Sequence, residues 1–340
     1  MRTIPRFGRI LASACAAIVV CVFATRAEGG SLPSATLPIG GGSIEVNFGD
    51  GDFDLPREVL LDHIAQAACA VSTYYGHFPV PHYRLLIVPV ADRRGVLTGT
   101  TWGFGGAHTR IFLGQHTNKD DLINDWVMTH EMVHTAFPTM SEEHHWIEEG
   151  IATYVEPLVR SWIGTYPPQK VWADLVIGLP KGLPGWFDEG LDRTATWART
   201  YWGGAMFCAL ADIEIRRRTA TKRGLIDALR AILAASGGIE TEWSADRAFK
   251  TGDAAVGVPV LEELYAKMKS TPTTPDLGAI WKRIGVEMKD GDAILDDSAP
   301  EAAIRRSISA RPAEAPEGCS QWSACSKASK WLSYTKSSTS

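Results

Sequence analysis

The stretch THEMVHTAF (residues 129–137) sets His130 and His134 four residues apart, with Glu131 between them. Val133 and Phe137 accompany them, so the segment reads as one amphipathic helix. On a helix, residues i and i+4 lie one above the other, and both imidazoles can reach a single ion. Glu131 falls about 100° round the helix from His130, which puts its carboxylate beside such an ion rather than on it. That pattern suits a divalent metal on two imidazoles, with a carboxylate placed to act on a metal-bound water. The plain alternative is a core helix whose histidines are satisfied by hydrogen bonds.

Working outward, Asn118 with Asp120 and Asp121 marks a helix start. Leu122, Ile123, Trp126, Val127, His130, Val133, His134 and Phe137 share one broad face of that helix, and Pro138 ends it. A second helix opens near Ser141, where Glu142 and Glu143 suit the positive helix end, and runs to about Trp162. A tetrahedral catalytic metal needs a third protein ligand and one open position. A glycine three residues and a histidine six residues beyond His134 would supply one solution, but those positions hold Phe137 and Met140. The second helix supplies another, because HHWIEEGIATYVE (144–156) contains Glu148 and Glu149. These two lie about 100° apart, so only one can face the ion. His144 and His145 fall in the first turn and are expected at the surface or rim. Tyr154 shares a helical face with Ile147 and Ile151 and reads as core.

Before the motif helix, GSIEVNF (42–48) alternates like a strand. LPREVLLDHIAQAACAVSTYYG (55–76) has helical spacing and stops at Gly76, and HYRLLIVPV (82–90) is rich in strand formers. A further strand centres on RIFL within the glycine-rich 99–114. Strands followed by two consecutive helices make an α+β arrangement. Beyond 165, YPPQK and GLPKGLPGW read as loops, and helices are predicted over 198–218, 222–236, 258–269 and 276–286. From Ala299 the composition turns to Pro, Ala and Ser, and 299–340 reads as a linker with a weakly ordered tail.

H-E-x-x-H followed by W-x-x-E-G-x-A-x-Y resembles the gluzincin metallopeptidases, above all the aminopeptidase-N-like and glycyl-aminopeptidase-like families. The resemblance covers roughly 100–210 and implies a thermolysin-like catalytic core holding Zn²⁺. It assigns the third ligand to the glutamate before the glycine, Glu149. In those families a tyrosine from a Y-x-x-G sequence stabilises the oxyanion, and TYWGGAMF (200–207) matches at Tyr201 with Gly204. GFGGAHTRIFLG is similar to the edge strand along which such enzymes lay an extended substrate. The aminopeptidases carry a G-x-M-E-N glutamate there for the substrate's amine. Here Ala107 and His108 follow the glycines, and Thr153 stands where the thermolysin variant has an aspartate.

The first residues are of another kind. Arg2, Arg6 and Arg9 precede the short apolar run ILASACAAIVVCVFA (10–24), and small residues surround Ala27, the pattern of a secretory signal peptide over 1–27. Cleavage there removes Arg2, Arg6, Arg9 and Arg26 and no acid, so 34 basic residues become 30 against 39 acidic ones and the charge moves from −5 to −9. A chain that acidic has no electrostatic reason to seek nucleic acid or an anionic membrane. Arg216–Arg218 reads as the basic end of a helix. Of the four cysteines then left, Cys319 and Cys325 are placed to close a small loop, and Cys69 and Cys208 read equally as free buried thiols or as a pair.

The expectation is therefore an exported zinc metallopeptidase acting on peptide or protein substrates. It comprises a zincin-like α+β domain over 28–164, a small mixed sheet with two active-site helices, and an all-helical half over 165–298. His130, His134 and Glu149 hold the metal, and Glu131 and Tyr201 act on the substrate. A metal-bearing but inactive peptide-binding protein, or a hydrolase of a non-peptide bond, are the other readings.

Overall fold

The computed structural model describes residues 35–320. The proposed signal segment, Cys325 and the tail beyond 320 lie outside the described residues. Five strands form one mixed sheet: β1 (Ala35–Ile39), β2 (Gly42–Phe48), β3 (His82–Val90), β4 (Val96–Trp102) and β5 (His108–Gly114). Their order is β1-β2-β3-β5-β4, with β2, β3 and β5 parallel and the two outer strands antiparallel to their neighbours. Alternation sets the faces, since Ile44, Val46, Tyr83, Leu85, Ile87 and Ile111 point one way and are almost wholly buried. Against them packs α1 (Arg57–Tyr75), which ends at Gly76 in the left-handed region at φ 87°.

The order of the sheet corrects one expectation. The RIFL strand, β5, is interior; the open edge is β4, VLTGTTW, which pairs on one side only. Thr98, Thr100 and Gly99 had left that run without a clear apolar alternation, so its strand character was hidden.

The motif helix is also two helices. Asn118 and Asp121 close a capping box on α2 (Lys119–Ile123). The chain then breaks, because the Asp125 carboxylate accepts from the Val127 and Met128 backbone N–H groups and starts α3 (Val127–His134) afresh. Asp125 is itself held by His63 on α1 at 2.8 Å. The third element is α4 (His145–Trp162), entered through a 3₁₀ turn over Glu142–His144.

The second half is mostly helical: α5 (Pro168–Gly178), a π turn (Arg199–Gly203) leading into α6 (Gly204–Arg218), α7 (Leu225–Ser236), α8 (Ala245–Val256), α9 (Val260–Met268) and α10 (Leu277–Ile284). A hairpin of β6 (Val286–Lys289) and β7 (Asp292–Leu295) interrupts what the pattern read as helices throughout. The buried residues of both halves belong to one continuous core. Helices α4 and α6 meet backbone to backbone: a Cβ on Gly150 would lie 2.4 Å from the Gly204 Cα. The arginines at 216–218 are neutralised in place by Asp212, Glu214, Glu263 and Glu301. No helix among the described residues is long and apolar enough to cross a membrane.

The C-terminal expectation needs correction as far as residue 320. Residues Ala302–Ser309 form α11, and the chain then folds back so that the Gly40 N–H donates to the Glu317 carbonyl at 2.9 Å. That return brings Cys319 onto the buried face of α1, where it is disulfide-bonded to Cys69 across 250 residues of sequence. Cys208 is free and buried. Neither pairing read from the sequence anticipated this, because apolar spacing says nothing about which distant segment docks on α1. Closing so long a loop constrains the unfolded chain strongly. The Cys69→Ser/Cys319→Ser variant is therefore expected to lose roughly 2–5 kcal/mol of unfolding free energy in non-reducing urea titrations. Coincident midpoints for the two proteins would refute that stabilisation.

Candidate metal centre

Helices α3 and α4 bring His130, His134 and Glu149 together, their candidate donor atoms all within 4.8 Å of one another. His130 Nε2 lies 3.0 Å from Glu149 Oε2, and His134 Nε2 lies 3.6 Å from the same oxygen. Zinc–ligand bonds of about 2.0–2.1 Å in a tetrahedron put donor atoms roughly 3.3 Å apart, so this spacing suits the ion. The set of two imidazoles and one carboxylate is of gluzincin type. Burial drives the His134 pKa down to about 4, which keeps its ring neutral near pH 7, the form in which imidazole binds metal. Burial pushes the Glu149 carboxyl up, but the His130 and His145 rings outweigh it and hold it well below the usual carboxylate range.

Glu131 takes no part in the donor set. It faces the edge strand, where Gly99 leaves it room: a Cβ there would lie 2.4 Å from the Glu131 Cγ. The Thr101 hydroxyl donates to Glu131 Oε2 at 2.7 Å. Behind it the Tyr83 hydroxyl donates to Thr109 at 2.5 Å, and Thr109 is hydrogen-bonded to Thr101 at 2.8 Å. Three hydroxyls from β3, β5 and β4 thus point in series at one carboxylate oxygen, a chain in which each bond polarises the next. Burial raises the Glu131 pKa, and the Thr101 bond opposes that rise.

Tyr201 arrives from the π turn. Its ring stacks on His130 with centroids 6.1 Å apart, which brings its hydroxyl near the Glu149 carboxylate. Burial and the Glu149 charge raise its pKa, so the phenol stays protonated at neutral pH. The turn is fixed by the buried pair Arg199–Asp188 at 2.6 Å.

Other residues sort differently. Glu148 turns aside to His145, at 3.5 Å. His145 is half-exposed at the rim, yet its Nε2 lies 3.2 Å from Glu149 Oε1, the oxygen turned away from the two motif histidines. The Glu148 and Glu149 carboxylates beside it raise its pKa to about 10. Sequence reasoning placed His145 at the rim but missed this contact; the i,i+4 spacing of His145 and Glu149 on one helix was the available signal. His144, expected at the surface or rim with it, is the N-cap residue of α4 and is partly buried, bonded to Ser141 and to Tyr265 at 2.8 Å each. Tyr154 is core, donating to Asp212 at 2.9 Å. Thr101 was also missed, because nothing in the sequence tells which threonine of a glycine-rich run meets Glu131. At the turn before β5, the Glu240 carboxylate accepts from the Ala107 N–H at 2.9 Å.

No family model matches the chain, and no curated protein matches it. Among solved structures it is similar to an aminopeptidase N family protein from Idiomarina loihiensis, with a TM-score of 0.55 at 13% identity, covering 74% of this chain and 49% of that one. An M1 zinc metallopeptidase from Deinococcus radiodurans also matches, with a TM-score of 0.48 at 17% identity over 73% of this chain and 52% of that one. The first likeness shows a shared fold. The chain spans about half the length of the solved structures it matches.

Proposed function

We propose that the chain is a zinc-dependent hydrolase, and specifically an exported metallopeptidase of the gluzincin type. One observation carries the reading: two imidazoles and a carboxylate converge on one point, while a second buried carboxylate, Glu131, stands beside that point and is bonded to the edge strand instead. A purely structural metal site has no use for that second group. The shared fold with the Idiomarina protein supports the peptidase class. The Cys69–Cys319 bond supports export, since structural disulfides persist in oxidising compartments.

His130, His134 and Glu149 would hold the zinc. When bound, it supplies a Lewis acid that lowers the pKa of a ligated water to ~7. Substrate lies extended along β4, whose unpaired backbone edge can add one more strand. Glu131, with one oxygen pinned by Thr101, takes the water's proton on the other and passes it to the leaving amine. Tyr201 donates its phenol proton in a hydrogen bond to the carbonyl oxygen as negative charge gathers there. His145 fixes the Glu149 carboxylate from behind, the role outer partners play in orienting metal ligands.

The test is peptide cleavage by the purified protein, read by mass spectrometry with and without a zinc chelator, alongside metal analysis. One zinc per chain, cleavage abolished by chelation and restored by zinc, is the expected result. Cleavage indifferent to the chelator would overturn the reading.

A further inference from the structure

Beside the donor cluster, α4, α5 and the π turn leave a cavity of about 390 Å³. His130 and Tyr201 are among its lining residues, so it adjoins the proposed reaction centre. Its walls are flat and aromatic, built from Trp126, Tyr166, Trp197 and Trp202. The volume falls in the lower part of the ~300–1,000 Å³ typical of ligand sites, enough for one residue of a substrate.

The charges lining it are unequally satisfied. Of its two carboxylates, Glu156 accepts from Arg160 at 2.7 Å, and Asp174 takes the Tyr166 hydroxyl. Arg160 is buried and lies over the Tyr166 ring at 4.6 Å. Lys170 and Lys181, by contrast, are exposed at the mouth of the cavity and form no ion pair among the described residues. Each ammonium sits over a ring that itself walls the cavity, Lys170 at 5.9 Å from Tyr166 and Lys181 at 5.3 Å from Trp202. The Thr153 hydroxyl also lines the cavity, buried and without a hydrogen-bond partner. An apolar occupant would shield the two ammonium groups from part of their water without offering them a counter-charge, which costs free energy. A carboxylate answers the two ammonium groups.

Given the hydrolase reading, on which this rests, we propose that the cavity receives a carboxylate-bearing residue of the substrate adjoining the scissile bond. The carboxylate is either an acidic side chain or the free C-terminus of a short peptide. Its oxygens meet Lys170 and Lys181, and the body of the residue lies against the aromatic walls.

Binding is measured first on the zinc-loaded full-length Glu131→Gln protein, with fluorescent peptides in four forms: glutamyl or glutaminyl at the test position, each as free acid or amide. Exposed ion pairs contribute modestly each, so the carboxylate forms are expected to bind roughly tenfold more tightly. The Lys170→Met/Lys181→Met double variant on the same background should bring that ratio to about one. A preference in the glutamyl–glutaminyl arm assigns the carboxylate to a side chain, and one in the acid–amide arm assigns it to the C-terminus; either supports the proposal. Equal affinity across all four peptides, or a preference that survives the double variant, overturns it. Wild-type protein that cuts none of the peptides would overturn the hydrolase reading instead, while the binding ratios still decide the pocket.

Discussion

Glu131→Gln is expected to keep one zinc per chain and to lose roughly 10²–10⁴-fold in kcat/KM, the usual worth of a positioned general base. The amide has the shape of the carboxylate and still offers an oxygen to the Thr101 hydroxyl, so the packing against Gly99 is preserved. What it cannot do is accept a proton. Metal content by mass spectrometry, the thermal midpoint and peptide turnover together read the outcome. Undiminished turnover would remove Glu131 from the role of base. Loss of zinc with the substitution would show that it belongs to the donor set after all.

Removing a ligand should act on the metal itself. Glu149→Ala deletes the oxygen shared by both imidazoles, together with the oxygen that His145 meets at 3.2 Å. His134→Ala deletes one of the two rings. Both are expected to weaken zinc affinity well beyond the roughly 10–100-fold typical for loss of an outer partner. His145→Ala, which touches only the far oxygen of Glu149, is expected within that range. Competition with a chromophoric chelator separates the three. To distinguish metal loss from misfolding, the unfolding of each variant is compared with that of the metal-stripped wild type. Glu149→Ala binding zinc as tightly as the wild type would end the case for this donor set.

The parts of the site written into short helical spacings were legible in advance. His130, Glu131 and His134 occupy one helix, so periodicity placed them, whereas Glu149 was chosen over Glu148 by the resemblance to the gluzincin pattern. The glycine after Glu149 proves to be a packing demand, since Gly150 touches Gly204. The edge strand was misplaced because β4 has no apolar alternation to announce it, and strand order in a mixed sheet is a long-range fact. The β6–β7 hairpin left a local clue that went unread: Asp290 and Gly291 both adopt positive φ, 53° and 90°, as a two-residue hairpin turn requires. The break at Asp125 was harder, because the capping carboxylate has to compete with a continuous apolar stripe. Nothing local could have paired Cys69 with Cys319.

The meeting of Gly150 and Gly204 has a mechanical meaning. Glu149 precedes the first of these glycines by one residue, and Tyr201 precedes the second by three. The proposed zinc ligand and a phenol from opposite halves of the chain are therefore indexed to each other by bare main chain, with no rotamer in between to absorb error. A Cβ on Gly204 would come within 2.2 Å of the Trp146 carbonyl oxygen, so a single added methyl acts as a wedge between the halves. The alignment of the two groups is thus machined into the thinnest joint of the molecule, and it tolerates less than the width of one carbon atom.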